Sequence, residues 1–147
     1  VVVLNNEVQE IRAGDDTLLL YGVQDPQFSK DKLYLTEEII MEKQLASIVR
    51  QEEKFSLLLS HRPELFHAYA MAGMDLTLTG HAHGGQIRLP FVGGLVAPNQ
   101  GFFPRFSGGL YEVEDHQMIV SRGLGNSIFP LRILNRPELV VVKLAPK

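Results

Sequence analysis

Two short apolar-rich stretches, Glu7–Ile11 and Thr17–Tyr21, flank Ala13-Gly14-Asp15-Asp16 near the start of the chain. Strand-length runs on either side of a Gly/Asp turn predict a β-hairpin. A polar loop through Asp25-Pro26 follows. Met41, Leu45, Ile48 and Val49 then form one apolar stripe among Glu37, Glu42, Lys43 and Glu52, predicting a helix from about Leu35 to Arg50. Phe55–Leu59 reads as a continuous apolar run, the mark of a strand buried on both faces. Pro63 suits a first helical turn, and Glu64–Met71 predicts a short helix closed by Gly73. Asp75–Thr79 is the next strand and ends at Gly80. Strand, helix and strand make a βαβ unit, whose strands run parallel through a right-handed crossover. Gln86–Leu89, Leu110–Val113, Gln117–Ser121 and Leu139–Leu144 look like antiparallel strands between Gly-rich loops. The predicted class is α/β, with a mixed sheet or a pair of packed sheets.

Composition narrows the setting. The chain has 147 residues, 45% hydrophobic and 21% charged, with a net charge of −3, which fits one soluble globular domain. The charge is not basic, so no nucleic-acid partner is expected. Cysteine is absent, which excludes disulfide staples and any thiolate-ligated zinc or iron–sulfur site. The opening Val1-Val2-Val3-Leu4 run is far short of the ~20 residues of a membrane span and has no basic leader or cleavage site. Starting without Met, inside what reads as a strand, the chain is expected to continue upstream, where any targeting signal would sit.

The chemistry concentrates at two strand ends. His61 lies just past Phe55–Leu59, in Ser60-His61-Arg62-Pro63. His81 and His83 lie just past Asp75–Thr79, in Gly80-His81-Ala82-His83-Gly84-Gly85-Gln86. Ligands of open α/β sheets bind outside the carboxyl ends of the strands. Neighbouring parallel strands lie only about 4.8 Å apart, so the three imidazoles are expected to converge. Neutral imidazole is the commonest metal ligand and suits zinc, iron, nickel or copper. The plainer alternative is a set of histidines decorating a polar loop.

The stretch Leu57-Leu58-Leu59-Ser60-His61-Arg62-Pro63-Glu64, followed by Leu78-Thr79-Gly80-His81-Ala82-His83-Gly84-Gly85-Gln86, resembles the second half of a calcineurin-like metallophosphoesterase. The likeness is to the bacterial membrane-associated branch with a G-H-x-H-G-G-Q signature. The tail matches too, in Val120-Ser121-Arg122-Gly123-Leu124-Gly125-Asn126, Pro130-Leu131-Arg132 and Arg136-Pro137-Glu138-Leu139. Ala82 stands where that branch commonly has Thr. The resemblance implies that residues 1–147 are the C-terminal part of a four-layer α/β/β/α sandwich with mixed sheets. It implies two divalent metal ions (Mn, Zn or Fe), His61 and His81 binding one and His83 the other. A hydroxide shared by the ions, about 3.5–4 Å apart, would then attack phosphorus in line. The substrate would be a phosphomonoester, phosphodiester or pyrophosphate, carried on a phosphorylated small molecule or a lipid-linked metabolite. The parent would sit at the membrane or cell envelope.

Half of that family's machinery is missing. No D-x-H occurs, Gly14-Asp15 sits in the hairpin turn, and Gly125-Asn126 continues with Ser127 rather than His. The bridging carboxylate and the leaving-group acid are therefore expected upstream of Val1, and the isolated chain is expected to be inactive. Exposed strand edges would favour self-association. His67 reads as a surface or packing residue, His116 and Asp25 as turn residues, and Arg62, Arg122 and Arg132 as solvated side chains within reach of a phosphate. Phe91, Phe102, Phe103 and Phe106 either cap a core or form a lid over a lipid-like substrate. The competing functional class is a non-catalytic metal-binding or regulatory module that keeps a three-histidine site.

Overall fold

The structure is a computed structural model and describes residues 2–48, 51, 53–127 and 131–145. Val1, Val49, Arg50, Glu52 and Pro130, on which the sequence reading drew, lie outside them. Strands β1 (Glu7–Ala13) and β2 (Asp16–Gly22) form the expected hairpin, in register from Ala13 opposite Asp16 to Glu7 opposite Gly22. Gly14 turns it at φ +66°, a conformation that costs glycine little. Helix α1 (Glu37–Ser47) starts where the Thr36 hydroxyl accepts the Ile39 N–H, at 3.3 Å, which fixes its first turn later than the apolar stripe alone suggests. Strand β3 (Phe55–Leu59), a 3-10 turn over Pro63–Leu65, helix α2 (Phe66–Met71) and strand β4 (Leu76–Thr79) make the βαβ unit, with β3 and β4 parallel.

The main sheet holds six strands in the order β1-β2-β3-β4-β10-β9, the last two being β9 (Gly109–Val113) and β10 (His116–Val120). Its second half departs from the expected antiparallel pattern, because β10 runs parallel to β4 while pairing antiparallel with β9. Since β2 is also parallel to β3, four adjacent strands, β2, β3, β4 and β10, end at the same edge. Between β4 and β9 the expected Gln86–Leu89 strand shrinks to β5 (Arg88–Leu89), because a 3-10 turn over His83–Gly85 precedes it. It pairs with β6 (Gly93–Gly94), and β7 (Val96–Ala97) pairs with β8 (Gly101–Phe102). Leu139–Leu144 forms no strand. Its apolar residues have β propensity, but Leu139 and Val141 stay largely exposed, so no burial backs that propensity here.

Both helices lie on one face of the sheet. Met41 and Leu45 of α1, with Phe66 and Tyr69 of α2, share a core with Leu19, Tyr21, Leu58, Met118 and Val120. The other face carries Leu18, Leu20, Phe55, Leu57, Leu59, Leu78 and Ile119, aligned across the strands by their register. Phe55 and Leu59 remain about 40% exposed. This corrects the expectation that β3 is buried on both faces. Ser56 interrupts the run and points to the helical side, so the strand alternates after all. One helical layer on one mixed sheet is the α/β half of a four-layer sandwich. Among the described residues, no helix is long and apolar enough to cross a membrane.

Candidate metal centre

His61 leaves the end of β3, and His81 and His83 leave the end of β4. The two strands are hydrogen-bonded neighbours, and the Ser60 N–H still donates to the Leu78 carbonyl at 3.1 Å as the chain departs from them. The starts of both strands are pinned as well, because Ser56 donates through its N–H and its hydroxyl to the Asp75 carboxylate, at 2.7 and 2.6 Å. The His61 and His81 rings consequently meet edge to face, with centroids 4.4 Å apart.

Burial, with the electrostatic influence of the neighbouring His61 and Arg62 acting in the same direction, holds the His81 imidazole down to about 4. Burial also lowers His61, helped by the charges of Arg62 and His83 and partly opposed by Asp25. Both rings are neutral at physiological pH, the form that can donate a lone pair. His83 is partly buried and contributes to both shifts, so it shares the electrostatic environment of the pair. His81 Nε2 and His83 Nδ1 are buried without hydrogen-bond partners. Orphaned imidazole nitrogens suit a cation ligand. Even so, no three His, Asp or Glu side chains among the described residues are arranged to hold an ion as they stand.

The loop carrying His81 and His83 departs from regular backbone. His81 lies at φ +60°, His83 at +46° and Gln86 at +58°, all in the left-handed region. Gly84 and Gly85 hold positive φ as well, at +69° and +77°. Non-glycine residues persist there only where their surroundings fix them. The hairpins provide part of that fixation: Leu95 N–H donates to the Gly85 and Ile87 carbonyls, and a Cβ on Gly85 would strike the Gly94 backbone.

Arg62 overturns its reading as a solvated side chain. It is about 1% exposed and lies among Asp25 at 3.0 Å, Glu37 at 3.3 Å and Glu64 at 3.5 Å, with Gln27 accepting at 2.9 Å. Asp25 is a turn residue as expected, accepting from Gln27 N–H, but it also faces Arg62 across the end of β2. Tyr69, which the sequence reading passed over, is fully buried. Its hydroxyl donates to the Arg62 carbonyl at 2.6 Å and accepts from Ser60 Oγ at 2.7 Å, so it grips the chain on both sides of His61.

The other candidates fall elsewhere. Arg122 pairs with Glu138 at 2.8 Å, and Arg132 donates to the Arg122 and Gly125 carbonyls. His67 is exposed, and His116 opens β10 instead of a turn, with Nδ1 2.9 Å from the Met74 carbonyl. Phe106 is a core residue stacked edge-on against Phe66 and Tyr111, whereas Phe91, Phe102 and Phe103 are exposed.

No family model matches the chain, and no solved structure matches it significantly. Curated proteins do. An uncharacterized metallophosphoesterase of Bacillus subtilis, YkuE, is 40% identical over 90 residues, 61% of this chain and 31% of that protein. The phosphodiesterase YaeI of Escherichia coli is 36% identical over 88 residues, 60% of this chain and 32% of its own length. An uncharacterized metallophosphoesterase of Aquifex aeolicus is 30% identical over 150 aligned positions, 99% of this chain and 51% of that protein. The chain thus spans between about a third and a half of these relatives. Within that span, the chain is similar to bacterial metallophosphoesterases.

Proposed function

We propose that this chain is the histidine-bearing part of a metal-dependent phosphohydrolase, with His61 and His81 ligating one divalent ion and His83 a second. The approach of the His61 and His81 rings to 4.4 Å, at the ends of adjacent parallel strands, carries the reading. Bound divalent ions would polarise a phosphoryl oxygen and generate a nucleophile from water at neutral pH. The chain's own residues hold the donors: Tyr69 and Arg62 fix the His61 turn, and burial keeps His81 unprotonated. A carboxylate ligand for the ions and an acid for the leaving oxygen would be supplied from outside this chain. The substrate would be a phosphomonoester, phosphodiester or pyrophosphate on a small or lipid-linked molecule. Exposed Phe91, Phe102 and Phe103 support a lipid-like group, because they project from hairpins that pack on the histidine loop. Self-association through exposed strand edges is part of the same reading, and the apolar sheet face opposite the helices offers a further surface for it.

The test is an assay of this chain and of its full-length parent on an activated aryl phosphodiester with manganese. Turnover by the parent alone, lost in His81→Ala, is the expected outcome. Comparable turnover by both would show that the histidines suffice. Zinc binding without turnover in either, at a closed four-ligand site, would favour the non-catalytic module.

A further inference from the structure

Asn135 lies in the irregular tail, far along the chain from the histidine loop, and is only 2% exposed. Its Nδ2 donates to the His83 carbonyl at 2.7 Å and to the Gln86 carbonyl at 3.1 Å. Both partners accept only, so the amide orientation is settled: the NH₂ faces the loop, and Oδ1 is the other atom. Oδ1 is buried without a partner and lies against Gly84, where a Cβ would strike the Asn135 carboxamide. The tail is held in place on either side of Asn135. Arg88 N–H donates to the Ile133 carbonyl at 3.0 Å, and Glu138 N–H donates to the Gly123 carbonyl at 3.1 Å.

We infer that Asn135 is the positioning residue of His83, its carboxamide spanning the 83–86 turn and imposing the left-handed backbone from which the His83 ring projects. The inference deepens the metal-centre reading and rests on it for the ligand role of His83. The geometry accounts for three facts together. His83 and Gln86 hold positive φ, Gly84 has no room for a side chain, and a neutral amide is buried at the cost of one unpaired oxygen. An aspartate at position 135 would keep the shape and replace the donor with a second acceptor facing two carbonyls. An alanine would remove the tie without repulsion.

The experiment follows the imidazole nitrogens and the backbone of residues 83–86 by ¹⁵N-resolved NMR in the full chain, before and during titration with zinc alone. It compares the native chain with Asn135→Ala, Asn135→Asp and Gly84→Ala. In the metal-free arm, the native His83 three-bond HN–Hα coupling should match positive φ. The coupling should change in all three variants, while the His61 and β3 signals stay put. In the zinc arm, the His83 ring should respond about 10- to 100-fold more weakly in the Asn135 variants, the usual effect of losing an outer-shell partner. The His61 and His81 responses should be nearly unchanged. Native-like His83 coupling in both Asn135 variants would overturn the positioning role whatever zinc does. A native His83 ring that ignores zinc, with the metal-free changes still present, would sink the ligand reading and leave the clasp standing. If Asn135→Asp fails to fold, Asn135→Ala and Gly84→Ala decide the metal-free arm.

Discussion

A single hydroxyl controls the approach to His61. Tyr69 Oη joins residues 60 and 62, and burial pushes its phenol up, so it stays a neutral donor. Tyr69→Phe keeps the packed ring but leaves the Arg62 carbonyl without this donor. Urea unfolding should show a loss of roughly 1–3 kcal/mol, and unchanged stability would mean that solvent replaces the bond. Charge at the neighbouring Asp25 follows a definite sign. Burial raises its carboxyl, but the hydrogen bond and charge of Arg62, with Gln27 N–H, outweigh burial and leave it lowered. The folded state thus binds that proton less tightly than the unfolded chain does. The resulting stability is present above the unfolded value of ~3.9 and is lost as pH falls through the folded value. Asp25→Asn should flatten that acid limb of the stability profile. His81 acts in a higher window: with its folded value at about 4, the unfolded chain, near ~6.5, binds more protons in between. Stability should therefore rise with pH from about 4 to about 6.5, and His81→Gln should remove that rise, as read by urea midpoints across the range.

At the scale of elements, the site depends on β3 and β4 staying in register, since one step of slippage would turn His61 to the opposite side of the sheet. Ser56 and Asp75 lock the two strand starts. Ser56→Ala, at a fully buried position, should cost about 1.5–3 kcal/mol, the range for a hydrogen bond to a charged group. A smaller loss in thermal or urea unfolding would place the register elsewhere. Local pattern was enough to find the hairpin, the βαβ unit and the strand-terminal histidines, because each is encoded within about twenty residues. What it could not show was long-range pairing. Ser56 disappears into an apolar run until Asp75 arrives, Arg62 reads as a surface cation until Asp25, Glu37 and Glu64 surround it, and nothing near Asn135 points back to His83. Leu139–Leu144 erred the other way, since β propensity alone does not bury a segment.

For the whole molecule, the proposed self-association bears on the sheet face opposite the helices. Phe55, Leu57, Leu59 and Leu110 lie on it, at positions either exposed or half-buried. Apolar surface of this kind is where the proposed self-association would form. Sedimentation velocity should show the proposed self-association growing with concentration and reversed by Phe55→Lys with Leu110→Lys. Folding stability should hold within about 0.5 kcal/mol, the usual range for surface changes. A chain that stays monomeric throughout would refute the association.

The clasp between the tail and the histidine loop also bears on the order of assembly. The two rings that meet edge to face come from one βαβ unit, whereas Asn135 reaches His83 across 52 positions. Closing the longer loop costs about 0.8 kcal/mol more in chain entropy, and the intervening chain includes β10, which pairs with β4. The first pair of imidazoles is therefore expected to assemble before the third. The third waits on a contact that the tail must carry back across the finished sheet edge, so a lesion far along the chain is expected to disturb one imidazole and spare the other two.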